Sequence, residues 1–112
     1  MTHRPKLSEE EVQQVTNLYP DRIICAVDAR DTQDPPMDKR KFVVPAEIQF
    51  GNFVAVVRKR LKIKEQEALF FFVDSSLIQM SKTMNEIKTS HASEDGVVYV
   101  VYSKENTFGF LS

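Results

Sequence analysis

Cysteine and glycine are nearly missing from this chain, and tryptophan is missing altogether. The lone cysteine, Cys25, excludes an internal disulfide and fits a reducing compartment. It sits within the apolar run "RIICAVDA", where a buried, inert thiol is the ordinary state. No second cysteine stands near His3 or His91, so no zinc site is expected. With three glycines there is no phosphate-cradling glycine loop. The chain thus offers no catalytic constellation, and neither an enzyme nor a bound cofactor or metal is expected. No apolar run approaches the roughly 20 residues a membrane span needs. The start, "MTHRPKLSEEE", lacks the apolar segment of a secretory signal. A cytoplasmic protein that reaches membranes only by borrowed means is the expectation. Fifteen basic and 16 acidic residues leave a net charge of -1, so no overall pull toward nucleic acid exists.

What is present is patterned. A length of 112 residues suits one domain with its own core. The reading is a single domain over 1–112, with 1–7 a flexible start and 103–112 a mobile tail. "LSEEEVQQVTNLYP" opens with a capping box, Ser8 with Glu11, and carries a thin apolar stripe of Leu7, Val12, Val15 and Leu18. Pro20 stops it, because a residue before proline avoids the helical region. "RIICAVDA" and "KRKFVVP" read as strands joined by the polar, proline-bearing loop "RDTQDPPMD". "PAEIQFGNFVAVVRKRLKI" has the strongest helical period, with Phe50, Phe53, Val54, Val57 and Leu61 on one face. "EALFFFVDS" is a strand covered on both sides. Thr83 and Glu86 form a second capping box in "SKTMNEIKTSH", and "GVVYVVYS" is the last strand. Four strands with one main helix predict an α+β fold.

Two features ask for a purpose. Between Met37 and Lys64 lie eight basic residues, Lys39, Arg40, Lys41, Arg58, Lys59, Arg60, Lys62 and Lys64, against the acids Asp38 and Glu47. They are either solvated faces or a basic patch for acidic partners. The other feature is Gly109, three residues before the end, in a stretch with no turn to make.

"LYPDRI", "DKRKFVVP", "FVAVVRKRL", "EALFFFV" and "VYVVYSKENTFG" together resemble the autophagy ubiquitin-like modifiers of the GABARAP family, in order from Ser8 to Gly109. The resemblance implies a ubiquitin-like β-grasp fold: a four-stranded mixed sheet with the main helix on one face and the N-terminal helix on the other. It implies that a cysteine protease cuts after Gly109 and discards Phe110, Leu111 and Ser112. E1-like, E2-like and E3-like machinery then joins Gly109 to phosphatidylethanolamine on autophagosomal membranes. It also implies recognition of short extended peptides with an aromatic-x-x-aliphatic pattern, as carried by cargo receptors, through strand addition to "KFVV". By position, Glu11, Val15, Ile24, Ala26, Lys41, Val43 and Val97 take the aromatic side chain. Phe42, Val44, Pro45, Ile48, Phe53 and Val56 take the aliphatic one. Lys39, Lys41 and Arg22 meet acidic residues flanking the peptide pattern. For Phe53 and Val56, inward core packing is an equal alternative. The protein is expected to be monomeric in solution.

The chain departs from the family pattern in three places, one being the three residues after Gly109, more than some members carry, which makes cleavage a precondition of conjugation. Only seven residues precede Ser8, leaving the family's first helix absent or a stub, and Gly96 and Val97 stand where an aromatic residue is frequent. Two rival functions remain. One is a β-grasp peptide-binding adaptor that is never conjugated. The other is a nucleic-acid or phosphoinositide binder using Lys59, Arg60, Lys62 and Lys64, disfavoured because these residues are expected to face several directions.

Overall fold

The structure, a computed structural model, describes residues 5–31 and 33–105. Three helices, α1 (Glu9–Leu18), α2 (Phe50–Leu61) and α3 (Met84–His91), accompany five strands, β1 (Arg22–Ala29), β2 (Lys41–Pro45), β3 (Phe70–Val73), β4 (Ser76–Leu77) and β5 (Val98–Ser103). The strands form one sheet in the order β2-β1-β5-β3-β4. β1 and β5 run parallel, and the other neighbours are antiparallel. The sequence-based expectation of four strands is one short. β4 has two residues, both exposed, too few for any periodic signal. It exists because Asp74 and Ser75, at φ 53° and 62°, turn the chain back on β3. Two consecutive left-handed residues are what a tight hairpin needs.

β1 sets the architecture. Its side chains alternate between faces, as strand geometry requires, yet all from Ile23 to Asp28 are buried. Ile23, Cys25 and Val27 join the main core beneath α2 and α3, with Phe50, Phe53, Val57, Phe71, Met84 and Tyr102. Ile24 and Ala26 join a smaller core with Leu7, Val15 and Val97 beneath α1. α1 and the pair α2 and α3 therefore lie on opposite sides of the sheet, the arrangement the family resemblance implies.

The helix ends follow from local chemistry. Ser8 Oγ accepts the Glu11 N–H at 3.1 Å, and Glu11 Oε2 accepts the Ser8 N–H at 3.0 Å. Thr83 and Glu86 repeat this at 3.2 and 2.9 Å. α2 has no such box. Its Phe50 and Gly51 N–H groups donate to the carbonyls of Lys82 and Met80 at 2.7 and 2.9 Å. The N–H groups of Met84 and Asn85 in α3 donate to the carbonyls of Ile48 and Ala46 at 2.8 and 3.0 Å. Each helix start is thus satisfied by the other's approach segment. α2 ends on Lys62 in the left-handed conformation, with Arg58, Lys59 and Arg60 in its last turn, where cations offset the helix dipole.

Leu7, assigned on sequence to the flexible start, is buried, and its N–H donates to the Tyr99 hydroxyl at 3.0 Å. Ser103, assigned to the tail, is buried within β5. Leu18 leaves the expected apolar stripe, being 72% exposed at the last residue of α1.

Candidate functional site

β2 is an edge strand. It pairs with β1 from Arg22↔Pro45 to Ala26↔Lys41 and, among the described residues, has no neighbour on its other side. Its sequence suits an edge. Lys39, Arg40 and Lys41 lead into it, and Pro45, which has no N–H to donate, ends it. The outward N–H and C=O groups of β2 are available to another extended chain.

On the α1 side, the residues expected to take an aromatic side chain do come together. Val15, Ile24, Ala26 and Val97 share the smaller core, with Val43 packed against it. Register puts Lys41, Ala26 and Tyr99 in one row across three strands, and Val43 beside Ile24. These four core members form a nearly closed floor, at 9% exposure or less. The accessible parts are Val43, Lys41 and Glu11. Glu11 Oε1 and Lys41 Nζ stand 3.8 Å apart, spanning the gap between α1 and β2. The Ser8 N–H, with lesser help from Lys41, holds the Glu11 carboxyl below its usual pKa.

On the α2 side, Phe42 and Phe53 are buried, their rings packed edge to face at 5.7 Å. Val44 and Ile48 are half-buried, and Pro45 and Val56 are exposed. The equal alternatives for Phe53 and Val56 therefore separate: Phe53 packs inward, whereas Val56, three residues on, is 52% exposed. Lys39 Nζ lies 4.8 Å from the centre of the Phe42 ring, a cation–π distance. Arg22, grouped with Lys39 and Lys41 on sequence, is not beside them. It pairs in register with Pro45 at the other end of the hairpin and stacks on Tyr19 at 5.2 Å.

Cys25 is fully buried, and desolvation pushes its thiol up to about 12, far from a nucleophile's range. Gly109 and the residues after it lie outside the described residues.

Two supports escaped the sequence reading. Asp28, buried on β1, holds Arg40 Nε at 2.9 Å, and Arg40 also donates to the Pro5 carbonyl. The Tyr99 hydroxyl donates to Asp95 Oδ2 at 2.7 Å while accepting from Leu7. An acid inside "RIICAVDA" was the available signal, since a buried charge needs a partner.

Comparison with known proteins accords with this geometry. The family model described as "Autophagy protein Atg8 ubiquitin like" matches residues 7–109. Autophagy-related protein 8 of Mycosarcoma maydis is 41% identical over 110 residues, covering 97% of this chain and 93% of that protein. Autophagy-related protein 8a of Arabidopsis thaliana is 43% identical over 103 residues, covering 91% and 84%. The crystal structure of Trypanosoma brucei ATG8 superposes with a TM-score of 0.79 at 31% identity, covering 90% of this chain and 88% of that one. The chain belongs to the Atg8 family of ubiquitin-like autophagy proteins.

Proposed function

We propose that this protein is a membrane-conjugated modifier and peptide-docking platform of autophagy, and not itself a catalyst. One observation carries the docking part: among the described residues β2 is unpaired on its outer side, and it has an apolar floor on each face. An extended peptide added to β2 alternates its side chains between faces. Two anchors three positions apart therefore point to opposite faces. The aromatic one goes over Val43 between Glu11 and Lys41, and the aliphatic one over Phe42 and Val44 beside Val56. Lys39 and Lys41 attract acidic residues near the aromatic anchor. The expected partners are cargo receptors carrying the aromatic-x-x-aliphatic pattern.

Conjugation is supported by family membership and by Gly109 near the chain end. Cleavage after Gly109 by a cysteine protease exposes the carboxylate that the E1-like, E2-like and E3-like enzymes activate. The lipid amide adds two acyl chains, and each buried CH₂ contributes about 0.8 kcal/mol of membrane affinity. The protein would then divide between cytoplasm and autophagosomal membrane. Among the described residues no helix is long and apolar enough to cross a membrane, so the lipid would supply the anchor.

The test is the intact mass of protein recovered from starved cells, beside a Gly109→Ala form. Loss of Phe110 to Ser112 with a lipid-sized gain, absent from the variant, is expected. Full-length mass in both refutes conjugation and leaves a peptide-binding adaptor. Titration with a peptide of the aromatic-x-x-aliphatic pattern tests docking separately. Equal affinity for a form with both anchors replaced by alanine refutes it.

A further inference from the structure

Lys59, Arg60, Lys62 and Lys64 were expected to face several directions, yet three of them line one groove at the C-terminal end of α2. Lys59, Arg60 and Lys62 border a shallow, open groove of about 410 Å³ with Val56 and Asp38. Asp38 Oδ1 accepts from Arg60 Nε at 3.2 Å. That bond fixes the guanidinium by one edge and leaves its terminal nitrogens for a ligand. Three cations and one carboxylate give the lining a formal charge of +2. A phosphomonoester carries about -1.5 to -2 near pH 7, and a guanidinium fork matches its oxygens.

The groove shares the β1–β2 loop with the point where the chain leaves the sheet. Asp34, in the same β1–β2 loop as Asp38, is buried and accepts the Lys104 N–H at 3.0 Å, and the Tyr102 hydroxyl donates to the Pro35 carbonyl. The loop that positions Arg60 therefore also holds the last described turn of chain. From Glu105 to Gly109 is four residues, at most roughly 14 Å of extended backbone. A lipid on Gly109 would keep this end of the molecule close to the bilayer surface.

We propose that the groove binds the phosphomonoester headgroup of a phosphoinositide in the membrane that carries the protein. The choice of a lipid, as opposed to a free phosphate, rests on the reading of Gly109 as the conjugated residue. A nucleic-acid strand fits less well. Its phosphates want an extended basic track with aromatic stacking surfaces, whereas this lining is compact and holds no aromatic side chain.

The test uses the full, unconjugated chain with phosphatidylcholine vesicles, with or without a phosphatidylinositol monophosphate. Sedimentation is expected only with the phosphoinositide and is expected to weaken with salt. The pair Lys59→Glu with Lys62→Asn should lower it by at least roughly tenfold. Asparagine is chosen because it tolerates the left-handed backbone at position 62. Lys88→Glu, on α3, should leave it unchanged, and melting curves should show all forms folded. Equal binding to phosphatidylserine vesicles of matched charge overturns the proposal. So does sedimentation that the paired variant retains, or tighter binding of single-stranded RNA than of the vesicles. Displacement by inorganic phosphate as efficient as by a soluble inositol phosphate overturns the lipid assignment. Failure here leaves conjugation at Gly109 standing, because no conjugate is used. A negative mass experiment leaves groove binding standing and removes the membrane assignment.

Discussion

Replacing Tyr99 with phenylalanine removes one oxygen and keeps the ring. In the protein that oxygen accepts the Leu7 N–H at 3.0 Å and donates to Asp95 Oδ2 at 2.7 Å. Asp95 in turn accepts the Val97 N–H at 3.0 Å, so the hydroxyl links the chain start to the approach to β5. The lost bonds are one neutral, worth about 1 kcal/mol net, and one to a carboxylate, worth about 1.5–3 kcal/mol. Asp95 is only half-buried and recovers part of this from water. The net destabilisation is expected at about 1–3 kcal/mol. At roughly 4 °C per kcal/mol for a domain of this size, Tm falls by about 4–12 °C. Thermal unfolding followed by circular dichroism measures it, and native-state hydrogen exchange at the Leu7 amide locates it. Burial, reinforced by the bond to Asp95, pushes the Tyr99 hydroxyl up to about 12 from 10. A raised folded-state pKa means that stability is complete below pH 10 and is lost as pH climbs through 12. The wild type should lose stability more steeply than Tyr99→Phe over that window. Cys25, also raised to about 12 by burial, adds an alkaline loss common to both forms. A stability change below about 0.5 kcal/mol together with unaltered Leu7 exchange would refute the reasoning, since surface substitutions commonly do no more.

Two further outcomes are expected. The Glu11 and Glu86 carboxyls are held below the usual value chiefly by the N–H groups of Ser8 and Thr83. Their contribution is therefore present above about pH 4.5 and lost as pH falls below it. The double variant Glu11→Gln, Glu86→Gln should show a flatter acid limb in a pH series of denaturant midpoints. Cys25→Ser places a hydroxyl where exposure is 0%. It should lower stability by about 1–3 kcal/mol while leaving peptide affinity unchanged, as paired unfolding and titration experiments would show.

How much of this was legible depended on how local the cause was. Both capping boxes involve residues three apart, so Ser8, Glu11, Thr83 and Glu86 could be read directly. The buried face of α2 was visible because Phe50, Phe53, Val57 and Leu61 obey a helical period. The start of α2 was not, since its N–H groups bind carbonyls of Met80 and Lys82, some thirty residues away in sequence. Leu7 was read as part of the flexible start because its partners, Val97 and Tyr99, lie at the other end of the chain. The α1-side pocket residues were placed together through family resemblance, and periodicity alone would not have joined Glu11 to Lys41. Arg22, grouped with Lys39 and Lys41 through the resemblance, stands at the opposite end of the hairpin, a separation that only the antiparallel register reveals.

The two faces of β1 carry unequal loads. Among the described residues, sixteen buried side chains belong to the α2 side and five to the α1 side. Opening free energies in a native protein scale with the apolar contacts each unit must break. α1 with Leu7 is thus the segment that can peel away while the rest of the sheet stays assembled. Global melting stays one cooperative transition, but native-state hydrogen exchange should show a shallow lid opening below the free energy that the deep keel requires. In such a molecule, a partner gripping α1 could stiffen the lid without altering the keel.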